Sequence, residues 1–425
     1  MLTKEAVKEF LIYGSHSKPE FLYRQVHSVL GERFMGSGLV TEHISSLWEA
    51  KRSLFNPAFH RSYLKLSMET FNNSTEASMK RLKRMADGKT KVQMLDEFSR
   101  LTLDIIAKVG FGFDCESLTK ERSKFNDAVT CSLNGCMYFE RNFWQKYSLI
   151  PEVSTRRKQV KSAIRFLRDF GREIVTKRIQ KMNEEKDDRH DILSYILKAT
   201  NGLKDSSFGM TGVLDEFITF FVAGMETSSV TLTSILFHLS RSEETVKRLK
   251  AEVKEVLQDR TFVEYEDLAK LEYLNAVFYF LKQVIKETLR MTPPASATAR
   301  QCNYDVEVSG YVVPKGCTVA VPFAMGRREE FFSDPLTFKP ERFYRTMIEP
   351  HTFVPFAVGP RSCIGQQFAL MEMKVIMARL LQTFDLRWVP DQSTDFIEEM
   401  TAKLKDGGLH YLTICDNDSA ENDQL

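Results

Sequence analysis

The sequence predicts a mainly helical fold with a minor β part, and three observations carry that prediction. From Met1 to about Arg290, apolar residues recur at spacings of three and four, as on one-faced helices. One stretch there, "VLDEFITFFVAGMETSSVTLTSILFHLSR", is apolar nearly all round and belongs at the centre of a core. After Pro293-Pro294 the texture changes to short alternating runs separated by turn residues, the pattern of strands.

Taken in order, "MLTKEAVKEFLIYG" is an amphipathic helix pattern without the apolar stretch of a signal peptide. "SMKRLKRMADGKTK" ends a helix at the turn residues Asp87-Gly88. "EFSRLTLDIIAKVGFGF" and "KQVKSAIRFLRDFGREIVTKRIQKMNEEK" follow as helices with one apolar face each. In "DVEVSGYVVPKGCTVAVPF", Ser309-Gly310 and Pro314-Lys315-Gly316 cut the run into short strands joined by tight turns. A helix returns from Gly365 to Thr383, and "MTAKLKDGGLHYLTI" reads as a hairpin around Asp406-Gly407-Gly408. With no internal repeat or long linker, residues 1–413 read as a single domain and 414–425 as a disordered tail.

Composition narrows the function classes. A net charge of +2 gives no global electrostatic case for nucleic acid. Seven cysteines stand at 115, 131, 136, 302, 317, 363 and 415 without a CxxC pair, which indicates neither a zinc site nor a disulfide framework. No apolar run approaches the roughly 20 residues of a membrane span, so the chain reads as soluble or peripheral.

One cysteine stands apart. Cys363 sits between Gly359 and Gly365, with Arg361 before it and an apolar-periodic helix after it. Backbone N–H groups and the positive end of a helix lower a thiol pKa. Glycine lets the backbone approach a large planar cofactor. Arg361 offers a charge-assisted partner to carboxylates on such a cofactor, and Pro355 and Phe356 shield the sulfur from water. A plain buried thiol is what most free cysteines are. The spacing Phe356, Gly359, Arg361, Cys363, Gly365 directly before a helix outweighs that alternative.

In that spacing, "FAVGPRSCIG" resembles the haem-binding signature of the cytochromes P-450, the haem-thiolate monooxygenases. The resemblance implies the cytochrome P-450 fold, with Cys363 as axial ligand of haem iron, favouring O–O cleavage. Other motifs of the family stand in order. "AGMET" is similar to the oxygen-activating motif: Gly224 leaves room beside the helix, and Glu226 and Thr227 relay protons through water. The Thr227 hydroxyl bonding back to the preceding turn is the alternative. "KETLR" places Glu287 and Arg290 one turn apart, and the resemblance joins them to Arg342 of "PERF" in a buried structural ion network. In "WEAKR", Trp48 and Arg52 are implied to contact the haem propionates, as is Arg300.

"GERFMGSGLV", "EFITFFVAGMETS" and "RSCIGQQFA" resemble the animal cholesterol 24-hydroxylases within that family. The subfamily implies insertion of one oxygen atom into a sterol side chain, with electrons from NADPH through NADPH–cytochrome P-450 reductase. It also implies the cytoplasmic face of the endoplasmic reticulum membrane, peripheral membrane contact and a monomer. Lys51, Lys374 and Arg379 are cations suited to docking an acidic reductase.

Expected pocket segments are Phe21 to Val40, "CMYFERNFWQKYSLIP", Phe220 to Thr227, Ala295 to Thr298 and the Thr401 region. Met225 stands where that subfamily has histidine, and Ser296 where it has a bulky aromatic, which widens the expected pocket. Relative to the family, the membrane anchor, the first helix and the first strands are absent, so the sheet containing "CTVAVPF" is expected to expose an edge. Seven additional residues, 276–282, lengthen a helix by about two turns and shift its face by about 20°. Two alternatives remain: an isomerase or dehydratase working without reductase, and a shortened, non-catalytic family member.

Overall fold

The computed structural model describes residues 3–121, 123–184, 191–202, 209–269, 279–344 and 348–415. Its main helices are α1 (Ser45–Phe55), α2 (Met68–Lys83), α3 (Met94–Phe111), α4 (Lys124–Arg141), α5 (Pro151–Asn183), α6 (Met210–Leu239), α7 (Glu243–Leu257), α8 (Tyr279–Met291) and α9 (Gln366–Thr383). The chain opens on a short helix, Lys4–Val7, that widens into a π-helical turn, Lys8–Tyr13.

The central helix is α6. It packs along α3 and also meets α5, α8 and α9. Three of its hydroxyls bond back one turn, which lowers the cost of placing them in the core: Thr227, Thr231 and Thr233 donate to the carbonyls of Ala223, Thr227 and Ser229, whereas the buried Thr219 Oγ1 has no partner. By length and composition this helix could cross a membrane, contrary to the sequence expectation. Its apolar window is instead 78% buried in protein, as suits the core helix of a globular fold.

The strands are short; besides the two-residue pair Ser28–Val29 and Glu32–Arg33 they are β1 (Val92–Gln93), β2 (Ala297–Gln301), β3 (Val306–Val308), β4 (Tyr311–Val313), β5 (Thr318–Pro322), β6 (Phe384–Trp388), β7 (Phe396–Glu398), β8 (Ala402–Leu404) and β9 (Leu409–Ile414). β2 pairs antiparallel with β5, and β3 with β4 across the Ser309-Gly310 turn. Both turn residues have positive φ, as a two-residue hairpin requires. Among the described residues no strand pairs with the second edge of β5.

Two expectations need correction. The Asp406-Gly407-Gly408 turn joins strands of different sheets and is no hairpin: β8 pairs with β7, whereas β9 pairs with β6 and β1. The carbonyls of Gly407 and Gly408 accept the N–H groups of Leu95 and Met94, so the turn satisfies the free donors at the start of α3. The proposed tail also begins too early. Ile414 still pairs with Phe384, and the Cys415 N–H donates to the Thr383 carbonyl. Of the additional residues 276–282, 276–278 lie outside the described residues and the last four form the first turn of α8.

Candidate functional site

The loop before α9 is held in a narrow shape. Gly359 has φ of 81°, and a Cβ there would lie 1.9 Å from the Leu11 carbonyl oxygen, so only glycine lets the N-terminal π-helix pass. Four residues on, the Cys363 N–H donates to the Phe356 carbonyl at 2.8 Å. Gly365 caps α9 and has no heavy atom closer than 3.9 Å to a built Cβ, which leaves that side of the loop open.

The loop borders a cavity of about 300 Å³ lying between α6 and the start of α9. Cys363 is the one cysteine among the described residues in its lining, and its exposure is to this cavity. Burial pushes its thiol pKa up, and the Gly365 N–H and the Arg52 charge offset that only in part. The sequence argument for a lowered pKa therefore fails for the protein alone. A coordinated metal deprotonates a thiol outright.

From α6, Ala223, Gly224 and Thr227 line the opposite wall. The Thr227 hydroxyl donates to the Ala223 carbonyl at 2.7 Å, the back-bonded arrangement, which leaves its oxygen only the role of acceptor. A Cβ at Gly224 would come within 3.0 Å of Ile106 on α3, so this glycine also sets how closely the two helices approach. Glu226 is placed differently from expectation. It is absent from the lining, and its carboxylate accepts from Thr401 Oγ1 at 2.8 Å with Lys403 Nζ at 3.8 Å. The helical step of one residue turns it away from the cavity that Thr227 faces.

Cations gather at the rim. Arg52 donates to the Ser362 carbonyl at 2.7 Å, and the Arg361 guanidinium lies 4.2 Å from the Trp48 ring centre. Arg361 Nη1 donates to the Glu42 carbonyl, but its buried Nη2 has no hydrogen-bond partner. Burial and the nearby Arg300 lower Arg361 to about 10. Arg300 is buried against Thr298 and the Ala299 carbonyl. Lys18, absent from the sequence reading, joins this group: it lines the cavity, lies over the Tyr23 ring, and is pulled well below its usual pKa by burial and by Arg300 and Arg361. Lys18, Arg52 and Arg361 line one cavity that no Asp or Glu among the described residues lines.

Behind the loop, Glu287 accepts from Arg290 at 2.7 and 2.8 Å, from Arg342 at 2.9 Å and from the Lys339 N–H at 2.8 Å. Arg290 also donates to the carbonyls of Gly326 and Pro335. Both Glu287 and Arg290 are fully buried, and every charge in the knot is answered.

Other expected positions lie elsewhere. Of Phe21 to Val40 only Leu39 and Val40 line the cavity, and of "CMYFERNFWQKYSLIP" none does. In the latter, Phe143, Trp144, Tyr147, Leu149 and Ile150 are exposed on the surface. Met225 is buried away from the cavity, and Ser296 is outside its lining. Lys51 is buried and paired with Glu42 and Glu216, Arg379 is paired with Glu76, and Lys374 is buried, so none is an exposed docking charge.

This arrangement of a thiol facing a largely apolar cavity, under a long helix and beside clustered cations, defines a haem-thiolate class of site. The family model of cytochrome P450 matches residues 1–410, and the chain belongs to that family. Rat cytochrome P450 3A9 is 29% identical over 351 residues, covering 80% of this chain and 68% of that one. Cytochrome P450 4d2 of Drosophila melanogaster is 29% identical over 374 residues, covering 83% and 73%. The crystal structure of the cytochrome P450DA heme domain superposes with a TM-score of 0.83 at 22% identity, over 97% of this chain and 87% of that one, and shows the same fold. The family's cofactor is a thiolate-ligated haem supplied with electrons by a reductase, and its members are monooxygenases. The residues present fit that group: a sulfur faces the cavity, and the unpartnered Arg361 Nη2 among uncompensated cations awaits an anion such as a propionate.

Proposed function

We propose that this monooxygenase holds haem through Cys363 and hydroxylates the side chain of a sterol, in the manner of a cholesterol 24-hydroxylase. The observation that carries the haem site is the juxtaposition of Cys363 and Thr227 across one cavity with a cationic rim. When bound, the haem supplies dioxygen reduction and transfer of one oxygen atom to a C–H bond. The chain does the rest. Cys363 provides the sulfur ligand, and Arg361, Arg52, Trp48, Arg300 and Lys18 hold the carboxylates at the cofactor edge. Leu39, Val40, Ile106, Phe220, Leu289 and Phe323 keep water out and favour an apolar substrate. Thr227 Oγ1, its proton committed to Ala223, accepts a hydrogen bond from a protonated group in the cavity. Glu226 reaches the cavity only by leaving Thr401, so its part in proton delivery requires a side-chain swing.

Electrons reach this site from NADPH through NADPH–cytochrome P-450 reductase, and the enzyme works at the cytoplasmic face of the endoplasmic reticulum. The exposed Phe143, Trp144, Tyr147, Leu149 and Ile150 support peripheral contact with a lipid surface. Spectral titration of the haem-loaded protein with cholesterol and with a fatty acid tests the substrate. A saturable response to cholesterol is expected; a response to the fatty acid alone removes the sterol assignment.

A further inference from the structure

A second cavity, of about 180 Å³, lies behind the cysteine loop between α8 and α9. Lys282 and Lys286 from α8 and Lys374 from α9 line it, with Gln366 beside them and apolar cover from Phe353 and Pro355. No aspartate or glutamate among the described residues does so. The two buried or part-buried carboxylates nearest by element are engaged elsewhere: Glu287 of α8 binds Arg290 and Arg342, and Glu252 of α7 accepts the N–H groups of Phe280 and Leu281. Lys374 is 4% exposed and has no hydrogen-bond or ion-pair partner among the described residues. Burial and the two neighbouring lysines pull it down to about 7, and burial lowers Lys286 as well. Ammonium groups gathered in a recessed space without a counter-charge are held there at a cost that an entering anion removes.

We propose that this cavity binds a small free oxyanion carrying one or two phosphate groups, held by the ammonium groups of Lys282, Lys286 and Lys374. Lysine binds phosphate as a point charge, and three of them on two facing helices converge on one anion. Lys374, the deepest of the three and 4% exposed, lies out of reach of a group fixed to a lipid surface, which favours a free anion. Pro355, Phe356 and Ala357 line this cavity and the cysteine cavity alike. Since the Phe356 carbonyl holds the Cys363 N–H, occupancy acts on the loop that carries the sulfur. The binding itself does not depend on the substrate proposed above.

The test is calorimetric titration of the haem-loaded full chain with inorganic pyrophosphate, beside inorganic phosphate and phosphatidylcholine vesicles containing phosphatidic acid. One saturable site for pyrophosphate is expected, weakened about tenfold or more in Lys374→Met, as for loss of one charge-assisted contact. The melting temperature of the unsubstituted protein should rise with pyrophosphate concentration. Lys282→Met gives the same comparison if Lys374→Met fails to fold. Absence of saturable pyrophosphate binding, equal binding by the variants, or binding to vesicles alone overturns the proposal.

Discussion

Thr227 is the residue whose surroundings most constrain chemistry at the cavity wall. Its proton is committed to the Ala223 carbonyl, so the oxygen serves as an acceptor. Replacing it with alanine removes that acceptor without touching the cysteine loop. Thr227→Ala should lower product formation by about tenfold or more, with electron consumption continuing, while haem content and spectrum stay unchanged. Equal turnover per electron in the variant would show that the hydroxyl has no part. Cys363 was legible because its loop, glycines and arginine lie within ten residues of sequence, a local pattern. Lys18 was not, because its meaning comes from meeting Arg300 and Arg361, distant in the chain. The direction of Glu226 was also hidden: adjacent residues on a helix point about 100° apart, and only the packing of β8 shows which one faces the cavity.

At the scale of elements, α8 is tied to the segment behind the cysteine loop by one knot of charge. Glu287 is its only carboxylate, with two arginines and a backbone N–H directed at it. Glu287→Gln leaves Arg290 buried with its charge unanswered, so it should cost about 3–5 kcal/mol in urea unfolding and reduce haem retention. A variant as stable as the parent would mean that the carbonyls of Gly326 and Pro335 suffice for Arg290. Helices with one apolar face were readable because their periodicity is local. The Asp406-Gly407-Gly408 turn was not, because both glycines have the positive φ of a hairpin turn and the partner choice is tertiary. The aromatic run at 136–151 was misread for a similar reason: composition marks apolar surface but not the side of the wall on which it lies.

For the molecule as a whole, burial of ionisable groups links stability to pH. Glu372 on α9 is fully buried with neither oxygen hydrogen-bonded, and burial raises its pKa from 4.5 to about 8. The folded protein thus keeps a proton that the unfolded chain releases. That contribution is complete below about 4.5 and is lost progressively as pH rises toward 8. Glu216, raised to about 7, acts in the same direction. Glu372→Gln should flatten the fall in unfolding free energy between about pH 5 and 8; an unchanged slope would assign the dependence to other groups. The helix-rich fold was legible from texture and motif order, whereas the substrate was not, because pocket shape depends on contacts among segments that sequence lists separately. The most direct measurement is the carbon monoxide difference spectrum of the reduced protein beside Cys363→Ser. A strongly red-shifted Soret band, present in the parent and lost in the variant, is the predicted result. The same band persisting in Cys363→Ser would contradict the account at its centre.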